Sequence, residues 1–476
     1  MKIKKLYFGV QLFSIALSTI LLIADTSIDD FSNLNLTSIN TIKYPLDYSE
    51  LAAILTTAQK NNLKVSIAGK KHSQGGHTFY DNAIVIDTRN LNKIIDLDKE
   101  TNVITVQTGV TWKQIQQHIN QYGLSIKVMQ YANVLSIGGA LSVNANGIDP
   151  HNGPLIETIK SIKIMNSNGE ILRACRTENA ELFKLAIGGY GLFGIIIEAE
   201  IELTENFLYE RNCRFLPFDQ YANYLNNQIK DNPKIGLHHA QMCIDPYNKK
   251  KIFSGLFIAD YLKLSETEKY PATDKVYTLN SEPNSKLHKL LFNLIRQSKP
   301  LQLIRNFADS LKFIKKEIIS RNNALSVPIQ YLYYNSPKET DLLQEYFIPV
   351  DKITVFLTYI EKLVLEYNIN LLYLDLRFIR KNIESFISYT DTDRVGVVLF
   401  FNHQKSAQEL NKTKSWSCKL INKAISLSGT YYLPIQLYAC KHMIEKAYPK
   451  IPDFFNLKKL YDPHELFFNH FYKKYA

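Results

Sequence analysis

KVSIAGKKHSQGGHTF, residues 64–79, is the stretch on which the reading of the fold turns. A short β-branched strand, Val65–Ala68, runs into a glycine-punctuated loop that carries His72, Ser73 and His77. Glycine lets backbone N–H groups turn inward at dihedrals that other residues avoid, so such a loop can cradle a pyrophosphate. A histidine there can lie against a bound cofactor or bond to it. Strand-then-glycine loops occur in many α/β folds, so the rest of the chain has to decide.

On the N-terminal side, Leu51, Ile54, Leu55 and Ala58 fall at i, i+3, i+4 and i+7, the apolar stripe of a helix with Ser49 as its expected N-cap. On the other side, strands are expected at Ile84–Asp87, Ile94–Leu97 and Val103–Gln107. A second helix, Thr111 to Tyr122, is stopped by Gly123. Clustered strands make this α+β. A Rossmann chain would alternate strand and helix and show GxGxxG in its first turn. Further on come SIGGALSVNANG (136–147), SIKIMNSNGEIL (161–172) and GGYGLFGIIIEAEIEL (188–203). Nine of the 19 glycines lie between Gly138 and Gly194, so backbone approaches something closely there.

From about Phe207 glycine nearly vanishes while tyrosine, lysine and asparagine rise, which marks a second domain capping the first. Within it, Lys286 to Arg321 carries nine Lys/Arg against Asp309 and Glu317, and Pro300 divides the stretch into two amphipathic helices. Two readings stand open for them: solvated helices on a basic cap, or docking on anionic lipid.

The 476 residues, 46% hydrophobic and 21% charged, are those of an ordinary globular protein long enough for two or three domains. The net charge of +11 suits an anionic cofactor, an anionic substrate or a membrane surface, and no nucleic-acid-binding pattern is present. Residues 1–24, a basic start followed by the uncharged run Leu6–Ala24, read as an export signal or a retained membrane anchor. Either places the body outside the cytoplasm, periplasmic, extracellular or membrane-anchored. The five cysteines are scattered and odd in number, with no metal-ligand spacing, so neither a disulfide scaffold nor a metal site is expected.

The run AGKKHS, then SIGGALSVNANG, then ENAELFKLAIGGYGLFGIIIEAEIEL resembles the flavin oxidoreductases of the vanillyl-alcohol-oxidase (PCMH) type over roughly Ile42–Thr204. The resemblance implies a two-part FAD-binding domain over 36–206, an α+β substrate cap over 207–430, and a C-terminal segment, 431–476, that returns to the flavin. It implies FAD as cofactor, held by Gly69, Lys70, Lys71, His72, Ser73, Ser136, Gly138, Gly139, Ser142, Asn146, Gly147, Gly194 and Ile196. His72 matches the position that many members link covalently to the flavin 8α-methyl group, with His77 as a rival and non-covalent binding as the alternative.

Within that family the C-terminal half is most similar to the sugar-lactone and alditol oxidases and the polyprenyl-phosphoryl-ribose oxidases. In LLYLDLRFIR (371–380), Leu374, Leu376 and Phe378 face one way while Asp375 and Arg377 share the other face. A carboxylate beside a guanidinium can orient a polyol's hydroxyls, one accepting and one donating. The lactone and alditol oxidases carry a similar Glu-x-Arg strand. In YYLPIQLYACKHMIEKAYP (431–449), Tyr438 and Lys441 resemble a Y-x-x-K segment whose tyrosine lines the pocket and whose lysine stabilises reduced flavin. Gln344 and Tyr346 match a cap strand that contacts substrate. The implied reaction is oxidation of a CH–OH group of a sugar, polyol or sugar lactone, with hydride passing to flavin N5 and electrons leaving to oxygen or a quinone-like acceptor. A lipid-linked sugar oxidase at the membrane, or a flavin- or sugar-binding protein without turnover, are the alternatives.

Overall fold

A computed structural model describes residues 26–264, 277–280, 285–314, 316–327 and 329–476. The apolar run Leu6–Ala24 lies outside the described residues. Among those described, no helix is long and apolar enough to cross a membrane.

The first helix, Tyr48–Lys60, buries Leu51, Ile54, Leu55 and Ala58 as the spacing requires. Its N-cap is Asp47 rather than Ser49: the Asp47 carboxylate accepts from the Glu50 N–H at 2.8 Å, while the Ser49 hydroxyl donates to that same carboxylate. A carboxylate is the stronger acceptor at the positive end of a helix, and it takes the cap. Strands Thr41–Lys43, Ile84–Asp87 and Val65–Ala68 form a small parallel sheet with Ile84–Asp87 in the middle. An antiparallel sheet follows, in which Ile195–Glu205 pairs with both Val103–Gln107 and Ile159–Met165. The second helix, Trp112–Ile119, is closed by a Thr111–Gln114 capping box and a 3-10 turn ending at left-handed Gly123.

The cap is an eight-stranded sheet in the order Glu317–Ser320, Leu208–Leu216, Phe253–Lys263, Ile235–Ile244, Asn370–Ile379, Arg394–Gln404, Glu339–Pro349, Thr430–Tyr431. One face is packed by the helices Ile353–Tyr367 and Ala407–Ser426 over Leu374, Leu376, Val397 and Leu399. The other face turns toward the N-terminal domain, where Asn146 meets Glu345 and Arg377. After the last cap strand the chain returns to the small sheet: the Val65 N–H donates to Leu466 O at 2.8 Å and the Phe468 N–H to Val65 O at 2.8 Å. The helices expected on either side of Pro300 form as Ser285–Gln297 and Lys299–Ile314. All five cysteines are free thiols.

Candidate active site

Pairing register decides which side chains share the face turned to the N-terminal domain. Gln241 pairs with Asp375, Asp375 with Val398, and Val398 with Glu345, so these four lie in one line across four strands and project together. Arg377 is two residues along from Asp375, opposite Gly396. A Cβ at Gly396 would come within 3.2 Å of Glu345 Oε1, so glycine there leaves room for the Glu345 carboxyl. From the other domain, Asn146 donates from Nδ2 to Glu345 Oε1 at 3.3 Å, and its Oδ1 accepts from Arg377 Nη1 at 3.5 Å. The Tyr131 ring lies 6.0 Å from the Arg377 guanidinium. Burial pushes the Glu345 carboxyl above the usual carboxylate range, opposed by the Arg377 charge and the Asn146 amide. The arrangement can accept from, donate to and deprotonate neighbouring hydroxyl groups at a site where Glu345, Asn146 and Gln241 are buried.

Beside this line opens a cavity of about 390 Å³, lined by Tyr131, His239, Gln241, Tyr261, Tyr373 and Arg305 among others. Its wall is aromatic with a few polar heads, as small-molecule sites are. Burial pushes His239 down to about 3, so the ring is neutral.

The opening loop is clamped from three sides. Asp30 Oδ2 accepts from the Gly76 N–H at 3.0 Å, the Gln74 N–H donates to Pro434 O at 2.9 Å, and Gln74 Oε1 accepts from the Leu343 N–H at 2.9 Å. His72 is thereby held toward the cap: its ring stacks on Phe31 with centroids 5.3 Å apart, and its Nε2 lies 3.0 Å from the Tyr333 hydroxyl. Burial, then the Lys70 charge, lowers His72 to about 4, so it is a neutral imidazole with nucleophilic capacity. His77 instead sits in the core between Tyr190 and Phe471, lowered by burial to about 3.

The expected cofactor positions divide into two groups. Gly69 and Gly139 face the Ser136 hydroxyl; a Cβ at Gly69 would lie 2.5 Å from Ser136 Oγ, and that oxygen is buried without a hydrogen-bond partner. An orphaned hydroxyl over a Cβ-free backbone fits a polar cofactor group, since buried polar atoms are otherwise satisfied. Lys70 is exposed, while Lys71, in left-handed conformation, and Ser73 are partly buried alongside it. The other group serves packing. A Cβ on Gly138 would meet Thr108 Oγ1, one on Gly147 Met129 O at 2.8 Å, and one on Gly194 Met165 O at 2.7 Å. Ser142 Oγ donates to Gly138 O at 2.7 Å, and Ile196 pairs with Ile164 inside the antiparallel sheet.

Gln344 and Tyr346 lie elsewhere. Gln344 and Tyr346 share a face, but it is the helix-covered one: Gln344 Nε2 donates to Ser417 Oγ at 2.7 Å and the Tyr346 hydroxyl to Gln344 Oε1 at 2.7 Å. The residue between them, Glu345, takes the site. The strand is buried on both faces, so its sequence shows no alternation by which to choose one. Lys441 opens the helix Lys441–Ala447 behind its N-cap Cys440 and is exposed. Tyr438 O accepts from Cys418 Sγ at 3.4 Å on the helix Ala407–Ser426, behind the cap sheet. The segment touches the His72 loop at Pro434 before it reaches Tyr438 and Lys441.

Residues 40–174 match the family model described as FAD binding domain. A putative D-arabinono-1,4-lactone oxidase of Neurospora crassa is 29% identical over 163 residues, 34% of this chain and 29% of that protein. The decaprenylphosphoryl-beta-D-ribose oxidase of Mycolicibacterium smegmatis is 29% identical over 154 residues, 32% of this chain and 34% of that protein. The L-gulonolactone oxidase of Mus musculus is 22% identical over 163 residues, 34% of this chain and 37% of that protein. The chain thus spans about a third of the length of the curated relatives it matches, and the cofactor of the matched domain is FAD.

Proposed function

Starting from a chain that carries an FAD-binding domain of the vanillyl-alcohol-oxidase (PCMH) type, we propose that this protein oxidises a CH–OH group of a sugar, polyol or sugar lactone. The observation that carries the reading is the line of Asp375, Glu345 and Arg377, bridged by Asn146 from the FAD-binding domain. Bound flavin supplies a hydride acceptor at N5. Arg377 donates to the oxygen of the reacting carbinol, Asp375 accepts from a neighbouring hydroxyl, and Glu345 Oε1 takes the hydroxyl proton as the carbon loses hydride. The product is then a carbonyl, one hydride and one proton poorer than the donor. A carboxyl held above the usual range is suited to that exchange near neutral pH. Ser136 and the backbone at Gly69 would hold a polar part of the FAD, and His72, neutral and clamped toward the cap, is the residue we assign to covalent attachment at the 8α-methyl group.

A second reading, a sugar carried on a lipid phosphate, is favoured by Arg305, which lies between the Phe292 and Tyr373 rings on the aromatic cavity wall. The test is a visible spectrum of the purified protein, then anaerobic bleaching with panels of alditols, sugar lactones and polyprenyl-phosphoryl sugars. Bleaching by one panel supports the reaction and selects between the two readings; a yellow protein bleached by none is a binding protein without turnover.

A further inference from the structure

Between Lys286 and Ala308 the chain carries five Lys/Arg and no carboxylate. These residues lie in the helices Ser285–Gln297 and Lys299–Ile314, which cover the cavity mouth: His288, Leu291, Phe292 and Ile295 from the first and Arg305 from the second line it. The first helix is tied to the cap by buried Phe292 and by Arg296, whose Nε lies 2.7 Å from Asp341 Oδ2. Its other side carries Leu290, Leu291 and Leu294 at 58%, 49% and 52% exposure, and the second helix adds Leu303 and Ile304 at 43% and 61%. Exposed Lys286, Lys289 and Lys299 stand beside them. Burying one such aliphatic side chain is worth about 1.5–3 kcal/mol. Single exposed leucines need no explanation, but a cluster of five does.

We propose that this helical pair docks the cavity mouth onto an anionic lipid surface, with the five aliphatic side chains entering the interface and the lysines meeting the headgroups. Charge selects the occupant. An aliphatic centre with a cationic margin, in a pair of helices whose one carboxylate is Asp309, matches a bilayer whose negative headgroups overlie hydrocarbon. A second copy of the same face would set like charges against each other. Leu291 is at once exposed and part of the cavity lining, so the mouth opens at the interface. Docking does not depend on the redox reading. Its consequence does: an amphiphilic donor would reach the cavity from the lipid side.

The test is hydrogen–deuterium exchange on the full chain, alone and with vesicles of phosphatidylcholine containing phosphatidylglycerol, or of phosphatidylcholine alone. Amides in 285–308 are expected to be protected by the anionic vesicles and far less by the neutral ones. Leu290→Glu/Leu294→Glu should weaken vesicle partition about tenfold or more, and Lys286→Glu/Lys289→Glu should remove most of its salt dependence. Both variants should keep wild-type flavin absorbance, which separates loss of docking from loss of fold. Three results overturn the proposal: no protection of 285–308, partition unchanged in the leucine variant, or protection that rises with protein concentration without lipid, which assigns the face to a second copy. Protection by anionic vesicles in a protein that turns over no donor would uphold docking and sink only the redox reading.

Discussion

Replacing Arg377 with methionine strips the buried Glu345 carboxyl of the charge that opposes its desolvation. Arg377 reaches Glu345 through Asn146, by hydrogen bonds of 3.5 and 3.3 Å, rather than by a direct ion pair. At an effective dielectric of about 20, unit charges more than about 4 Å apart attract by less than about 4 kcal/mol, so a loss of about 1–3 kcal/mol is expected once Glu345 is ionised. The sign follows from linkage. The folded pKa of Glu345 is raised above its usual value, and the substitution raises it further, so the added destabilisation is absent below the ordinary carboxyl range and appears as pH rises through the folded pKa. In Arg377→Met/Glu345→Gln the Glu345 carboxylate is gone while Asp375 is common to all four proteins, so the part of the pH dependence that Glu345 carries should vanish. Urea unfolding of the wild type, both single variants and the double variant, at about pH 4.5 and about pH 8, measures the cycle. Turnover behaves differently: Arg377→Met should lower kcat/KM by about 10²–10³, unrescued in the double variant, because the lost donor contacts substrate. An equal stability penalty at both pH values, or a pH-dependent part undiminished in the double variant, would refute the placement of these two groups at one site.

The cofactor cradle predicts a steric signature: Gly69→Ala places a Cβ 2.5 Å from Ser136 Oγ and should cost about 1–3 kcal/mol of FAD retention, while Gly69→Ala/Ser136→Gly recovers the steric part; flavin content per chain reads both. Acid precipitation should leave yellow colour in the wild-type pellet and none with His72→Ala, and colour retained by His72→Ala but lost by His77→Ala would transfer the attachment to His77. Lys441→Ala should change kcat/KM less than about twofold, since an exposed lysine adds little to a buried transition state; a loss of about 100-fold would return Lys441 to the site. His72, His77 and His239, lowered to about 4, about 3 and about 3, take up protons on unfolding, whereas Asp30, raised to about 6, releases one. Near pH 5 these four groups together take up about two protons, a contribution of about 2.7 kcal/mol per pH unit to the fall of unfolding free energy on acidification; a profile that rises on acidification between about pH 4.5 and 5.5 would show these rings are not buried neutral.

Local patterns were legible because they depend on neighbours in sequence. The strand Val65–Ala68 and the glycine stop at Gly123 follow from β-branching and from left-handed conformation, and both form where expected. The Asp375/Arg377 pair was legible for a related reason: alternation with Leu374, Leu376 and Phe378, all fully buried, leaves the polar residues one face to occupy. Glu345 had no such signal. In LLQEYFIPV either parity is apolar enough to face a core, and only the pairing of Glu345 with Val398, and Val398 with Asp375, chooses between them. A shift of one residue moves every side chain to the opposite face.

By itself, then, the sequence determined the α+β class, the strand and glycine loop at Val65–Gly76 and the polar face of one cap strand, because each is written in spacing and dihedral preference within about ten residues. Only tertiary structure decided that Asn146 joins Arg377 to Glu345 across 199 and 231 residues of chain, that His72 points at the cap, and that Lys441 is exposed at the start of its helix. Those outcomes depend on strand register and on the clamp of Asp30, Leu343 and Pro434 around one loop, and contacts between distant segments leave no periodic trace in either of them.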